Sequence, residues 1–205
     1  EAASHYIWAG FDSMRVMNRG SNEAPEKASR PLSASAGGFI PGSGSGVVLI
    51  ESLESALERG AHIHAELAGS GVNCGGHRMG GSMTSPNPTS VQRCITDALA
   101  DAGVRPEEVD AINGHLTATG ADPKEIGSWS RALGRGPGEL PPITATKSMI
   151  GHALGAAGGL EAVASILMVE KGFVHPSINC EDVHPEIEPH ASSIPHELRE
   201  MPDMK

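Results

Sequence analysis

Apolar and polar positions switch between two periods along the chain, and the switch predicts alternating strands and helices. Residues 46–51 are a short β-branched apolar run, the pattern of a strand buried on both faces. Residues 52–59 read as a short helix closed by Gly60. From 62 to 67 the alternation puts His62, His64 and Glu66 on one face and Ile63, Ala65 and Leu67 on the other, as in a half-buried strand. Over 90–102 the spacing becomes helical: Val91, Cys94, Ile95, Ala98, Leu99 and Ala102 share a face, and Gly103 ends the helix. Strand-like runs follow at 109–113 and 143–146. Between them Asp122, Pro123 and Glu125 supply an N-cap, a proline at the first helical position and a glutamate at the third, and that helix runs to Leu133 before Gly134. Residues 155–171 are nearly all apolar, so this helix is expected to be central. The stretches 21–45 and 69–88, rich in Ser, Gly and Pro, read as loops, and the second is the expected boundary between two parts, 1–88 and 89–205.

Composition narrows the classes. A chain of 205 residues with 39% hydrophobic content can bury a core. A formal net charge of −10 argues against nucleic acid, whose phosphates require clustered Lys and Arg. Three Phe, two Trp and one Tyr leave little for base stacking. Three cysteines, Cys74, Cys94 and Cys180, are an odd number without metal-ligand spacing, which favours a reducing compartment over a disulfide framework. The longest apolar stretch, 153–169, contains Glu161 and several glycines, too short and interrupted to span a membrane. With no visible signal peptide, the expected location is cytoplasmic.

Candidate chemistry concentrates after the two strand-like runs. The first delivers His115 within Asn113-Gly114-His115-Leu116-Thr117-Ala118-Thr119, the second Lys147 and His152 within Thr144-Ala145-Thr146-Lys147-Ser148-Met149-Ile150-Gly151-His152. Two neutral imidazoles can aim N–H donors at one carbonyl oxygen, and a lysine beside them adds positive charge where an enolate develops. The set suits carbon-acid chemistry on a thioester. Thr117 and Thr119 point the same way if extended, and Glu161, in an apolar helix, needs a partner such as Lys147. The glycines at 42, 44 and 46 precede a strand and lack a Lys-Ser/Thr ending, so they form a turn and not a phosphate loop. His62 and His64 have ligand-like spacing, but no third ligand is recognisable and no metal is expected. His175, His184, His190 and His196 lie among prolines and acids and read as surface loop.

These motifs resemble the C-terminal half of the elongating β-ketoacyl-(acyl carrier protein) synthases. That family carries Asn-Ala-His-Gly-Thr-x-Thr, then Thr-Lys-Ser-x-x-Gly-His, then a Gly/Ala-rich helix with a glutamate. Here Lys147 follows His115 by 32 residues, His152 follows it by 37, and Glu161 lies nine beyond His152. Ala28-Ser29-Arg30-Pro31 and the glycine-rich 38–46 segment resemble the family as well, and the likeness runs from about Glu1 to Ile194.

The resemblance implies an α/β, thiolase-like layered αβαβα fold, with 1–88 ending the N-terminal half and 89–205 forming an incomplete C-terminal half. It implies an acyltransferase of fatty-acid biosynthesis or polyketide synthesis, part of lipid metabolism, that catalyses decarboxylative Claisen condensation of an acyl group with malonyl-(acyl carrier protein). Catalytic roles fall to His115, Lys147 and His152, a supporting role to Glu161, and binding of the phosphopantetheine arm to Thr117 and Thr119. No cofactor is bound, since phosphopantetheine arrives on the acyl carrier protein. The partners are that carrier, malonyl and acyl thioesters and, in a complete protein, a second copy. The family's nucleophilic cysteine is expected about thirty residues before Glu1, so the chain is expected to be a fragment, inactive alone. Two rivals are a non-catalytic partner subunit of the chain-length-factor kind and a thiolase-related acyl-coenzyme A enzyme. Leu116 stands where the family has glycine and Ala118 where serine is common. A leucine forced to φ > 0 costs about 1 kcal/mol or more, and its side chain is expected to face the cleft. The 33–37 stretch has only Ser, Ala and Gly where the family usually carries an aspartate and an arginine, which bears on carrier docking.

Overall fold

Helix boundaries fall where a side chain caps the backbone or a glycine ends it. Residues 4–77 and 80–205 are described in this computed structural model, and residues 78–79, within the expected 69–88 loop, lie outside them. The helices are α1 (His5–Ser13), α2 (Leu53–Glu58), α3 (Pro88–Ala102), α4 (Asp122–Leu133), α5 (Lys147–Ile150) and α6 (Ala157–Lys171). The strands are β1 (Ile112–Asn113), β2 (Ile143–Thr144), β3 (Phe173–Val174) and β4 (Arg199–Glu200). Ser52 caps α2 by accepting from the Ser55 N–H, and the Asn87 side chain does the same for α3 through Ser90. Gly103, Gly134 and Gly172 close α3, α4 and α6 in the left-handed conformation. The face expected on α3 is the half-buried one, while Arg93, Thr96, Asp97 and Asp101 are exposed.

β1 and β2 pair in parallel, Ile112 opposite Ile143 and Asn113 opposite Thr144, and β3 pairs antiparallel with β4. Both members of the parallel pair are shorter than the apolar runs that predict them. Around this pair sits the main core: Leu32, Ile112, Leu116, Ile126, Leu133, Leu140, Ile143, Cys180, Ile187 and Ile194 are all buried. A smaller cluster of Met168, Val174 and Met204 lies between α6 and the β3–β4 pair.

Four expectations are corrected. The runs 46–51 and 62–67 are not strands here, because no described residue offers them a hydrogen-bonding ladder. Their apolar side chains are correspondingly open, with Val47 87% and Leu49 85% exposed. Helix α6 is not central: only Ala157 and Met168 are buried along it, and Val163 and Leu167 are exposed, since described structure covers one side of the helix. Asp122 is not an N-cap. It is the first helical residue of α4, and its carboxylate serves another segment, described below. The histidines at 175 and 190 are buried rather than on surface loop: His175 Nε2 lies 3.0 Å from Thr146 Oγ1, and the His190 Nδ1 lacks a hydrogen-bond partner among the described residues.

The 42–46 segment crosses α6 at a glycine-on-glycine contact. A Cβ placed on Gly46 would lie 2.2 Å from the Gly159 carbonyl carbon, so only glycine allows that approach. Gly158, one residue earlier in α6, would meet nothing within 4 Å. Gly46→Ala is therefore expected to lower Tm by pushing the segment off the helix. Gly158→Ala should raise stability by about 0.4–1 kcal/mol through the unfolded chain. Paired thermal melts check both signs, and a Gly46→Ala protein as stable as the parent would show that the crossing is loose.

Candidate active site

Parallel pairing of β1 and β2 makes the chain leave both strands on the same side, and the Gly114 N–H donates to Thr144 O at 2.9 Å to extend that register. His115 follows β1 by two residues and Lys147 opens α5 just after β2, which places Lys147 Nζ 3.4 Å from His115 Nδ1. His152 arrives from the other end of α5. Gly151 turns the chain at φ +71°, and the His152 backbone then bridges to the Ile40 and Gly42 backbone at 2.7 and 2.9 Å. The two imidazoles meet edge to face, with centroids 5.2 Å apart, and Phe39 meets His152 in the same way at 5.1 Å.

Lys147 is 2% exposed, and its ammonium pairs with the Glu161 carboxylate from α6. The Asn113 side-chain amide donates to Glu161 O and to Ser165 Oγ, both at 3.1 Å, tying that turn of α6 to the end of β1. Thr146 Oγ1 lies 2.9 Å from Asn113 Oδ1 and continues the link to His175. Burial pushes the Glu161 carboxyl up, and the bond from Lys147 works against that.

Both histidines are held neutral. Loss of hydration, followed by the charge of Lys147, depresses each to about 4, and His152 adds to the effect on His115. His115 is open to solvent, while the buried Lys147 Nζ lies 3.4 Å from its Nδ1, so the lysine acts at short range. Tautomers follow from the partners. His152 Nδ1 accepts the Leu154 N–H at 3.2 Å, and His115 Nδ1 faces the donating ammonium of Lys147. Each ring therefore carries its proton on Nε2. Both rings line a cavity of about 720 Å³ that Thr117 and Thr119 also border, their hydroxyls 3.0 Å apart.

Asp122 and Glu125, read from the sequence only as helix-start residues, shape the loop that carries His115. Leu116 and Ala118 sit at φ +20° and +60°, where L-residues are strained. Glu125 accepts the N–H groups of His115 and Leu116 at 2.7 and 3.0 Å. Asp122 accepts those of Thr117, Ala118 and Leu32 at 2.9, 3.1 and 3.0 Å. Burial raises both carboxyls, that of Glu125 to about 7 with help from Asp122, against the lowering by these donors. The available signal was their three-residue spacing at a helix start, which puts both on one face just beyond the loop. Leu116 does not line the cavity. It is fully buried in the main core, so the expected cleft-facing side chain is corrected. Among the cysteines, Cys180 is buried and its thiol is pushed up to about 11 by burial, Cys94 Sγ bonds to Gly71 O, and Cys74 is exposed. Of the three, Cys94 borders the cavity that His115 and His152 line, and Cys74 and Cys180 do not.

The profile of the family "Beta-ketoacyl synthase, C-terminal domain" matches residues 64–181. The 3-oxoacyl-[acyl-carrier-protein] synthase I, chloroplastic, of Arabidopsis thaliana is 44% identical over 93% of this chain and 39% of its own length. The 3-oxoacyl-[acyl-carrier-protein] synthase 1 of Escherichia coli K12 is 41% identical over 84% of this chain and 40% of its own. Among solved structures, the ishigamide ketosynthase/chain length factor superposes with a TM-score of 0.85 at 36% identity, over 98% of this chain and 46% of that one. A type II PKS acyl-carrier protein in complex with its ketosynthase, bound to the hexaketide, gives 0.85 at 33% identity, over 96% of this chain and 47% of that one. The chain spans about two fifths of the length of the curated relatives it matches.

Two measurements test the site. Folded imidazoles at about 4 release protons that the unfolded chain keeps up to about 6.5. Their contribution to stability is thus present above pH 6.5 and lost as pH falls toward 4. Glu125 acts with the opposite sign, holding a proton up to about 7 that an unfolded carboxyl releases near 4.5, so its contribution fades as pH rises through that window. Histidine-resolved NMR titration should find His115 and His152 near 4. The double variant Lys147→Met/Glu161→Gln, which removes the buried pair together, should move both part of the way back to 6.5, because burial remains. Unmoved values would show that the lysine is electrostatically irrelevant. Leu116→Ala should cost about 2–5 kcal/mol in urea unfolding, as for other buried leucines; a loss below 1 kcal/mol would return the side chain to the cleft.

Proposed function

The chain belongs to the β-ketoacyl synthase family, and from that membership and the site geometry we propose that it carries the decarboxylating part of a condensing site acting on malonyl-(acyl carrier protein). Its fold is thiolase-like, shared with the ketosynthase structures. The observation that carries the reading is the pair of imidazoles that border one cavity with their Nδ1 atoms engaged by Lys147 and by the Leu154 N–H. In this reading the malonyl thioester oxygen lies between them. The bond from the malonyl α-carbon to its carboxylate breaks, carbon dioxide leaves, and the electron pair becomes the thioester enolate, whose oxygen both N–H groups stabilise. The enolate carbon then attacks an acyl thioester carbonyl and a cysteine thiolate departs.

Protonated imidazoles would lose the acceptor-side bonds that orient them, so Lys147 keeps them neutral by its charge while Glu161 holds that charge in place. Thr117 and Thr119 border the same cavity and suit the amide groups of a phosphopantetheine arm. Burial pushes the Cys180 thiol up, and the Cys94 thiol, though at the cavity, is engaged by Gly71 O, so neither suits an acyl-bearing thiolate, and in this reading the nucleophile belongs to the part of the relatives' length that this chain does not span. The halves divide at 88/89, the carrier brings the only prosthetic arm, and the assembled enzyme is a cytoplasmic homodimer serving fatty-acid or polyketide synthesis.

In the protein made from its complete reading frame, His115→Ala and His152→Ala should each lower release of carbon dioxide by about 10²-fold or more. Acylation of the cysteine, read by mass, should stay close to the parent. Equal loss of both steps would overturn this division of labour. Decarboxylation without any acylation would assign the protein to the non-catalytic partner class.

A further inference from the structure

His62 and His64 stand on alternate positions of the extended 62–67 segment, so both side chains project from one face. Opposite them is Glu170, in the last turn of α6 and 108 residues from His62. His62 Nε2 lies 2.8 Å from Glu170 Oε1, and His64 Nδ1 lies 3.1 Å from Glu170 Oε2. The two rings pack edge to face with centroids 4.6 Å apart. One ligand atom from each of the three residues falls within 4.8 Å of the others. The sequence offered no third ligand because Glu170 reaches this face only through the packing of α6.

We propose that His62, His64 and Glu170 form a binding site for a divalent ion of the zinc class, which ties the 62–67 segment to the C-terminal turn of α6. Two imidazole nitrogens and one carboxylate are a donor set that zinc accepts with a fourth position left to water. The same nitrogens exclude magnesium and calcium, which take oxygen ligands. Zinc bonds of about 2.0–2.2 Å place tetrahedral ligands about 3.4 Å apart, so the two histidine–carboxylate hydrogen bonds at 2.8 and 3.1 Å must open by a few tenths of an ångström to admit the ion. The side chains permit that: His62 and His64 are 69% and 60% exposed and free to turn, while Glu170, 18% exposed, is the fixed ligand on a helix. The ion also has work to do there. The 62–67 segment has no strand ladder among the described residues, and a metal bridge would supply the anchoring that backbone pairing does not. This site is separate from the cavity lined by His115 and His152.

The test uses protein stripped with EDTA and titrated with zinc chloride by calorimetry, alongside His62→Ala, His64→Ala and Glu170→Gln. The parent should take up one equivalent at this site. Each substitution should remove it or weaken it by more than the about 10–100-fold that loss of an outer-shell partner costs, while His196→Ala, at an exposed histidine elsewhere, leaves it intact. Hydrogen exchange provides a second readout: zinc, and not magnesium, should protect amides of 62–67 in the parent and in none of the three variants. Zinc uptake unchanged by all three substitutions would place the ion at another site, and absence of zinc-dependent protection would reduce the cluster to two surface hydrogen bonds. Either result overturns the proposal.

Discussion

The buried ammonium of Lys147 is the interaction on which the rest of the site depends. A cation at 2% exposure is tolerable only with a partner, and Glu161 supplies it from a helix that otherwise offers apolar side chains. The same charge faces His115 and depresses both imidazoles. A single pair thus links three elements: α5 is tied to α6 by charge, and α6 to β1 through Asn113. With their Nδ1 atoms already engaged, the imidazoles keep their Nε2 atoms as the free ring positions at the cavity they border.

A second constraint is backbone strain, and it is met by acids. The His115 loop passes through left-handed conformations at Leu116 and Ala118, residues that do not favour them. Five N–H groups from this loop and from Leu32 converge on the carboxylates of Glu125 and Asp122, and Leu116 is at the same time locked into the core. Strain of this kind persists only where surrounding contacts over-determine the conformation. The outcome is that the backbone from His115 to Ala118 is held by two side chains of α4.

The third feature is how unevenly apolar surface is covered. The parallel pair, α4 and the 177–194 region bury a continuous core, whereas the 47–57 stretch leaves Val47, Leu49, Ile50, Leu53 and Leu57 open. Patches of that extent on a soluble protein mark surfaces that take part in association. The glycine crossing at Gly46 and Gly159 and the cluster of His62, His64 and Glu170 fasten this region to the same helix, α6, at its two ends.

The sequence by itself determined four of the helices, α2, α3, α4 and α6, and the intervals of the candidate site. Glycines at 60, 103 and 134 marked the ends of α2, α3 and α4 because this signal acts within one turn of chain, the apolar run marked α6, and the intervals between His115, Lys147, His152 and Glu161 were legible because they are linear. It also identified the apolar runs, but not their pairing: 46–51 and 62–67 have strand composition and no ladder, since a strand exists only with a neighbour to accept its hydrogen bonds. Tertiary structure alone decided the roles that depend on distant residues. Asp122 reads as a cap for its own helix and instead holds Leu32 and the loop at 117–118. Leu116 reads as a cleft residue and instead fills the core, and Glu170 gives two surface histidines a third neighbour from 108 residues away. Local signals are set by bonds between near neighbours in the chain, while a charge, a buried methyl group or a third ligand takes its meaning from whatever the fold brings beside it.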